Sequence, residues 1–410
     1  MPSVVKFASM STFPISDRVA AMKGSATLIA AQVASELKAQ GHDIIDLSVG
    51  EPDFDTPEFV KELAREGMAK GLTKYTPSSG TKGFHDSVAA FFEKRFGAAV
   101  QFKEIAASCG GKQGLFNAAC TLLNPGDEVL IPKPYWVTFP ELATFCQAKS
   151  VFIETKETDF VLTADQVRAS ITDKTKLLII NSPNNPTGRV IPPGEMLKIV
   201  ETCAERGVYV LTDECYLFFA YPPAEVFTSA RLPKELREFV CVGGSFSKTF
   251  AMTGWRIGFT IANETWTKAM VKLQSHSATH PTSFVQYACA KAFERYDETL
   301  AAVTSMTAEY ERRKNWLIPA LNEIDGFKCA MPEGAFYAFV DVRNATGSEY
   351  SSSAAIADAL LRNLHIVVTD GAGFGADGYI RISYATSMEN LQKAVEQMQE
   401  LFGSKAAVTA

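Results

Sequence analysis

Residues 177–188 read LLIINSPNNPTG, an uninterrupted apolar run followed at once by a polar turn. A run of Leu and Ile without polar alternation predicts a strand that is buried on both faces, as in a parallel sheet. Asn, Pro and Gly favour turns, so this segment can be an ordinary turn at the strand's carboxyl end. Ligands of open α/β sheets bind at that edge, which also makes it a candidate ligand loop.

The same arrangement recurs on both sides of this stretch. Between about residues 105 and 262, short apolar runs alternate with helix-length amphipathic segments; the runs lie at 128–131, 177–180, 208–211, 239–242 and 257–261. This alternation predicts an α/β fold whose central sheet is mostly parallel and flanked by helices. Beyond it we predict one long helical stretch through 283–321, then a smaller α+β layer with strands at 335–342, 366–369 and 379–384 and helices at 353–364 and 389–401.

The length of 410 residues favours a large domain with a smaller one. We predict an N-terminal arm and part of the small domain at 1–55, a large domain at 56–295, and a small C-terminal domain with its bridging helix at 296–410. The segment before about residue 55 is too short to form a domain alone, so we expect it to pack against the C-terminal part.

Composition excludes several classes of protein. A net charge of -6 argues against binding to a nucleic-acid backbone. The N-terminus does not resemble a secretory signal, and no apolar run is long enough to cross a bilayer. The eight cysteines are scattered without a CxxC pair, which predicts a reduced, cytoplasmic protein. The five histidines have no spacing typical of metal ligands, so no metal is expected.

Three further segments offer reactive or anion-binding groups. Residues 243–258, GGSFSKTFAMTGWRIG, place Lys248 between small hydroxylated residues and Arg256, a setting that suits a phosphate and lowers the pKa of an amine. Asp213 ends the predicted strand that begins at Val208, where a carboxylate is either a helix N-cap or the partner of a protonated ring nitrogen. Residues 108–114, SCGGKQG, form a Gly-rich turn before an apolar helix, which is a weak signal for an anion site.

The order of these motifs resembles the class I aminotransferases of the aspartate aminotransferase fold, a pyridoxal-5′-phosphate (PLP)-dependent transferase fold of type I. Within that family the chain is most similar to the bacterial subgroup of aspartate and prephenate aminotransferases, over about residues 16–402. The motifs that carry the resemblance are Gly50-Glu-Pro-Asp-Phe54, Lys74-Tyr75, the GGKQ turn, Pro134-Tyr-Trp136, NNPTG, Asp213 with Tyr216, SxSK at 245–248, and Arg381 in Tyr379-Ile-Arg-Ile-Ser-Tyr384.

The resemblance implies a PLP cofactor and a role for each site residue. Lys248 would be the Schiff-base lysine and proton carrier, and Asp213 and Tyr216 would complete the catalytic set. The cofactor would also contact Gly110, Gly111, Lys112, Trp136, Asn185, Ser245 and Arg256, with Tyr75 reaching the phosphate from the partner subunit of a homodimer with shared active sites. Substrate would be bound by Gly50, Lys112, Trp136, Asn185, Arg381, Ser25 and Thr27.

The implied reaction is ping-pong transamination between an acidic amino acid and a 2-oxo acid, with Arg381 on the α-carboxylate and Lys112 on the distal one. Lys23 stands where prephenate-using members carry a basic residue, so prephenate or an aromatic amino acid is an alternative substrate. His280 replaces an expected small residue and is a second reason to keep specificity open. The same scaffold can also carry a PLP-dependent lyase or a non-catalytic binding protein, and the motifs leave both of these functions open.

Overall fold

The computed structural model describes residues 13–24, 26–347 and 349–403, without the side chains of 26–31. Its strands are β1 (Ile45–Asp46), β2 (Ile105–Ser108), β3 (Glu128–Lys133), β4 (Lys149–Glu154), β5 (Thr175–Asn181), β6 (Tyr209–Asp213), β7 (Val240–Ser245), β8 (Gly258–Ile261), β9 (Lys328–Cys329), β10 (Tyr337–Asp341), β11 (Ile366–Val367), β12 (Thr369–Asp370) and β13 (Tyr379–Ser383). Its α-helices are α1 (Asp17–Ala20), α2 (Ala26–Ala39), α3 (Glu58–Ala69), α4 (Lys82–Phe96), α5 (Gly111–Leu122), α6 (Thr138–Phe145), α7 (Ala164–Ser170), α8 (Pro193–Glu205), α9 (Lys234–Arg237), α10 (Phe246–Thr249), α11 (Glu264–Ser275), α12 (Ser283–Glu294), α13 (Tyr296–Asn322), α14 (Ser353–Leu364) and α15 (Met388–Phe402).

The central sheet has seven strands in the order β2-β8-β7-β6-β5-β3-β4. All neighbours from β7 to β4 run parallel, whereas β8 is antiparallel to both β7 and β2. The predicted α/β class with a mostly parallel sheet is therefore confirmed. The carboxyl ends of β5, β6 and β7, at Asn181, Asp213 and Ser245, lie side by side at one edge of the sheet.

The apolar run of β5 explains why this sheet is covered on both faces. Successive side chains of a strand point to opposite sides. Leu178 and Ile180 pack into one hydrophobic core, while Leu177 and Ile179 pack into another on the opposite face. All four are almost completely buried, so the sequence without polar alternation follows from a strand between two helical layers.

The C-terminal part has a four-stranded antiparallel sheet in the order β12-β13-β10-β9, with α13, α14 and α15 packed around it. The N-terminal segment joins this part through β1, which pairs in parallel with β11 at Ile45 and Ile366. That pairing supports the expected packing of the two ends of the chain. The domain limits at 1–55, 56–295 and 296–410 stay a prediction.

The predicted continuous helix through 283–321 is wrong at one position. Arg295, with ψ of 58°, interrupts the helical backbone between α12 and α13. The break has a packing reason, because α12 lies against α3 and α4 of the large part whereas α13 packs on α15 of the small part. One straight helix would not follow both surfaces.

Among the residues that the structure describes, no helix has the length and apolar character needed to span a bilayer.

Candidate active site

A cavity of about 250 Å³ opens at the edge where the parallel strands end. It gathers residues that are far apart in sequence and come from both sheets. Of the predicted site residues, those that line it are Gly50, Gly111, Lys112, Trp136, Asn185, Asp213, Tyr216, Ser245, Lys248, Arg256 and Arg381. It is also lined by residues outside the predicted set: Leu115, Asn181, Cys215, Ser247, Thr253 and Tyr337.

Lys248 lies in the short helix α10, directly after β7, so the strand end sets its position. Its Nζ donates a hydrogen bond to the carbonyl oxygen of Gly50. Burial is the largest influence on this amine and lowers its pKa, and the positive charges of Arg381 and Arg256 act in the same direction. Lowering the pKa increases the fraction of unprotonated, nucleophilic amine near neutral pH.

Asp213 is the last residue of β6 and is buried. Its carboxylate accepts a hydrogen bond from the backbone N–H of Cys215 at 3.1 Å, and its own carbonyl accepts one from the Asn181 amide at 2.9 Å. Burial raises the pKa of Asp213 from 3.8 to about 6, against the opposing effects of Cys215, Lys248 and Lys112. No helix of the described residues begins directly at this position, so the reading of Asp213 as a helix N-cap does not apply.

Two tyrosines and an amide line the same cavity as Asp213. The hydroxyls of Tyr216 and Tyr337 lie 2.6 Å apart, and burial raises the pKa of Tyr337 to about 12. Asn185 is fixed because its backbone N–H donates to the Asn181 side chain at 2.7 Å. These residues line the same cavity as Asp213 and offer it neutral hydrogen-bonding groups.

The Gly-rich turn closes the cavity at the amino end of α5. A Cβ atom on Gly110 would lie 2.4 Å from Nη2 of Arg256, and one on Gly258 would lie 2.5 Å from the backbone nitrogen of Gly111. Gly110 also has a φ of 83°, which favours glycine. The glycines therefore let backbone N–H groups, the Ser245 side chain and a guanidinium approach one point, an arrangement typical of a phosphate site.

Arg381 lies in β13 and is only 1% exposed. Its Nη1 donates to Asn185 Oδ1 at 2.9 Å, and its Nη2 donates to the carbonyl oxygen of Ser48. Its Nε is buried without a hydrogen-bond partner, and no Asp or Glu of the described residues forms an ion pair with it. Burial lowers its pKa. A buried guanidinium with only neutral partners is suited to an external carboxylate.

Lys112 and Trp136 lie at the mouth of the cavity. The Lys112 Nζ is 4.7 Å from the centre of the Trp136 ring, a cation–π contact. Burial lowers the pKa of Lys112, with a further contribution from Arg256. Lys112 lines the cavity, and within the described part of the chain no carboxylate makes an ion pair with it.

Tyr75 and Gly110, which the structure describes, do not line the cavity. Tyr75 is 89% exposed and packs edge-on against His280, with ring centres 5.6 Å apart. Gly110 lies behind Gly111 and contributes the turn. Ser25 and the side chain of Thr27 lie outside the described residues. Lys23 is exposed, and its backbone N–H donates to Glu141 at 3.0 Å.

Comparison with known proteins gives consistent matches. The model of the family described as aminotransferase class I and II matches residues 42–398. A probable aspartate/prephenate aminotransferase of Aquifex aeolicus is 37% identical over 94% of this chain and 98% of its own length. An aspartate aminotransferase of Geobacillus stearothermophilus is 38% identical over 96% of this chain and 100% of its own length. A solved structure of the aspartate aminotransferase from Thermus thermophilus with maleate is 38% identical, covers 95% of this chain and 100% of its own, and has a TM-score of 0.90.

Proposed function

The chain belongs to the class I and II aminotransferases, and we propose that it exchanges the amino group of aspartate or glutamate with a 2-oxo acid, with PLP as its cofactor. The observation that carries this proposal is the pair of cations that face the cavity without acidic partners among the described residues. Arg381 is buried at one side and Lys112 stands at the mouth. Two such cations suit the two carboxylates of an acidic amino acid.

The residues present fit PLP. The space left by Gly110 and Gly258, together with Arg256 and Ser245, would hold the phosphate. Asp213 would pair with the ring nitrogen, Tyr216 and Asn185 would hydrogen-bond the phenolic oxygen, and Trp136 would stack on the ring. Bound PLP supplies an aldehyde that condenses with amines and a ring that withdraws electrons from the amino acid Cα.

Arg381 would bind the substrate α-carboxylate. The planar guanidinium offers parallel N–H donors that match a carboxylate, and its unpaired Nε is available for one of them. Gly50 keeps this region open, since a Cβ atom there would lie 2.5 Å from the Tyr337 hydroxyl. A side chain at position 50 would therefore displace Tyr337 or block the approach of substrate.

Lys248 would carry the proton. An amine whose pKa is lowered by burial can take a proton from Cα and return it, which is the role of a general base and acid. The Gly50 carbonyl, which accepts from Nζ, would keep this amine aimed across the cavity. Asp213, held by the N–H of Cys215, would supply the negative charge opposite.

Lys112 would select the acidic side chain of the substrate. Its ammonium contacts the Trp136 ring rather than a carboxylate of the protein, so it can pair with a carboxylate of the substrate.

Tyr75, whose ring is almost fully exposed, would reach the phosphate of a second subunit, which makes the proposed enzyme a homodimer. Prephenate is the second candidate substrate, because a relative of this chain is named for both activities.

The experiment measures aspartate, alanine and phenylalanine as amino donors with 2-oxoglutarate, and glutamate as donor with oxaloacetate. Prephenate is tested as a further acceptor, and all reactions are run with wild-type protein and Lys112→Met. We expect aspartate and glutamate to exceed alanine and phenylalanine in kcat/KM. Removing a charged hydrogen-bonding partner should lower the value for aspartate by about 10- to 100-fold and leave that for alanine nearly unchanged. Lys103→Met is the matched control, because that exposed lysine pairs with Glu264. Equal rates for acidic and neutral donors would contradict the proposal.

A further inference from the structure

Residues 48–56, which we call the strap, contain no helix or strand and border the cavity at Gly50. Two carbonyl oxygens of the strap accept hydrogen bonds from the two cations that the proposed reaction needs most. The Ser48 carbonyl accepts from Arg381, and the Gly50 carbonyl accepts from Lys248. The position of the strap therefore sets how the carboxylate-binding group and the proton carrier are placed relative to each other.

The C-terminal end of the strap is attached to the large part of the protein. Thr56 donates from its hydroxyl to the Ala251 carbonyl at 2.7 Å, and Ala251 follows Lys248 by only three residues. The hydroxyl of Thr253 donates to the carboxylate of Glu51. These contacts connect the strap with the loop after α10, but they do not fix its distance from β13.

The start of the strap is attached to β13, because the backbone N–H of Ser383 donates to the Leu47 carbonyl at 2.8 Å. An ion pair in the small part holds the middle of the strap. Nη1 of Arg313, in α13, donates to the Asp53 carboxylate at 2.8 Å and also to the Tyr384 carbonyl at 3.3 Å. Tyr384 follows Arg381 by three residues and directly follows β13. One guanidinium thus contacts both the strap and the chain just beyond Arg381.

The arginine of the pair is shielded from water, whereas Asp53 is partly exposed. The side chain of Arg313 is 7% exposed and that of Asp53 is 26% exposed. The guanidinium carbon lies 5.6 Å from the centre of the Phe54 ring and 5.6 Å from that of Tyr310. Ion pairs add little net stability whether they are exposed or buried, so a pair at this position is better explained by the geometry that it imposes.

We propose that Asp53 and Arg313 are positioning residues. They hold the strap so that its carbonyls keep Lys248 and Arg381 at the distance from each other that binding of one substrate requires. Neither residue lines the cavity. The inference rests on the proposed roles of Lys248 and Arg381 and extends them to a device located outside the cavity. A displacement of about 1 Å in such an arrangement is enough to lower a rate by about 100-fold.

The structure offers a matched control on the same guanidinium. Nε of Arg313 donates to Glu309 at 2.9 Å, and the carboxylate of Glu309 pairs with Arg312 rather than with the strap. Glu309→Gln therefore weakens the other ion pair of Arg313 and leaves Asp53 in place. Asp53→Asn weakens the pair with the strap, and Asp53→Glu keeps the charge but adds one methylene between the strap and Arg313.

The test compares kcat and KM for aspartate with 2-oxoglutarate, together with Tm, in PLP-loaded wild-type, Asp53→Asn, Asp53→Glu and Glu309→Gln proteins. We expect both Asp53 variants to raise KM for aspartate several-fold and to lower kcat/KM by about 10- to 100-fold. Glu309→Gln should stay within about twofold of wild type, even where its Tm falls as far as that of the Asp53 variants.

Asp53→Glu distinguishes positioning from stability, because a pair that only stabilised the fold would be restored by glutamate. Wild-type constants in folded Asp53→Glu protein would overturn the inference, and so would equal constants in Asp53→Asn and Glu309→Gln. If wild-type protein itself fails to transaminate aspartate, the proposed function fails instead. Asp53→Asn protein that does not fold leaves Asp53→Glu to decide the question.

Discussion

Replacing Asp213 by Asn should stabilise the PLP-free protein at neutral and alkaline pH, although the carboxylate is essential to the proposed function. Burial raises the pKa of Asp213 from 3.8 to about 6, so the folded protein holds this proton more tightly than the unfolded chain. Since the folded state binds more protons between these pH values, the free energy of unfolding falls as pH rises from 3.8 to about 6 and stays level above.

The magnitude follows from that pKa. The rise from 3.8 to about 6 corresponds to a penalty of about 3 kcal/mol for ionised Asp213 at pH 8. Asp213→Asn removes the charge at nearly constant side-chain volume and should therefore remove most of this penalty. In a chain of this length, about 3 kcal/mol corresponds to a rise in Tm of about 3 °C.

The assay is thermal or urea unfolding of PLP-free protein between about pH 5 and pH 8.5. The difference between Asp213→Asn and wild type should grow up to about pH 6.5 and then level off. Glu128→Gln is a control of opposite sign, because a hydrogen bond from Thr172 lowers the pKa of Glu128 and its charge therefore stabilises the fold above pH 4.5. If Asp213→Asn is no more stable than wild type at pH 8, or if its advantage does not shrink in acid, the reasoning is wrong.

Two further outcomes are expected. Arg381→Lys should lower kcat/KM for every amino acid by about 100-fold, since one ammonium cannot replace the planar guanidinium at a buried carboxylate site. PLP binding, measured by titration, should stay the same. A loss confined to acidic donors would refute the assignment of Arg381 to the α-carboxylate. A hydrogen bond from Cys120, with the two sulfurs 3.6 Å apart, lowers the pKa of Cys146, whereas burial raises the pKa of Cys203 to about 12. At pH 8, Cys146 should therefore react with iodoacetamide faster than either Cys120 or Cys203. Mass spectrometry of the labelled peptides measures this order, and Cys120→Ala should slow Cys146; equal labelling rates would contradict the lowered pKa.

Much of the large sheet could be predicted because its strands are recognised by local composition. The apolar runs of β3, β5, β6 and β7 are continuous, and each predicts its strand to within a few residues. β4 escapes prediction because it is an edge strand whose side chains are largely exposed, so its sequence KSVFIE resembles a surface segment. The reversed direction of β8 is also not predicted, since a strand's sequence does not encode the direction of its neighbour.

The site could be predicted where a functional group lies at the end of a strand or a few residues beyond it, as do Asp213 and Lys248. Groups that meet only through tertiary packing escape prediction. Tyr337 contacts Tyr216 over 121 positions of sequence, and no local pattern signals that pairing. Gly50 and Arg381 are proposed from the resemblance to a family, and the structure places both at the cavity. The roles of all these residues remain predictions.

The hydrogen bond between Arg381 and Ser48 spans 333 positions of the chain, and this distance has a consequence for synthesis. A nascent chain that has grown as far as β8 already contains Asp213, Lys248 and Arg256, yet Ser48 still lacks its partner. Contacts between such distant residues form late, because the intervening chain must first be made and ordered. Synthesis therefore supplies the Gly-rich turn, Lys112 and Lys248 before Arg381, and the proposed contact with the substrate α-carboxylate is the last part of the site that the folding protein gains.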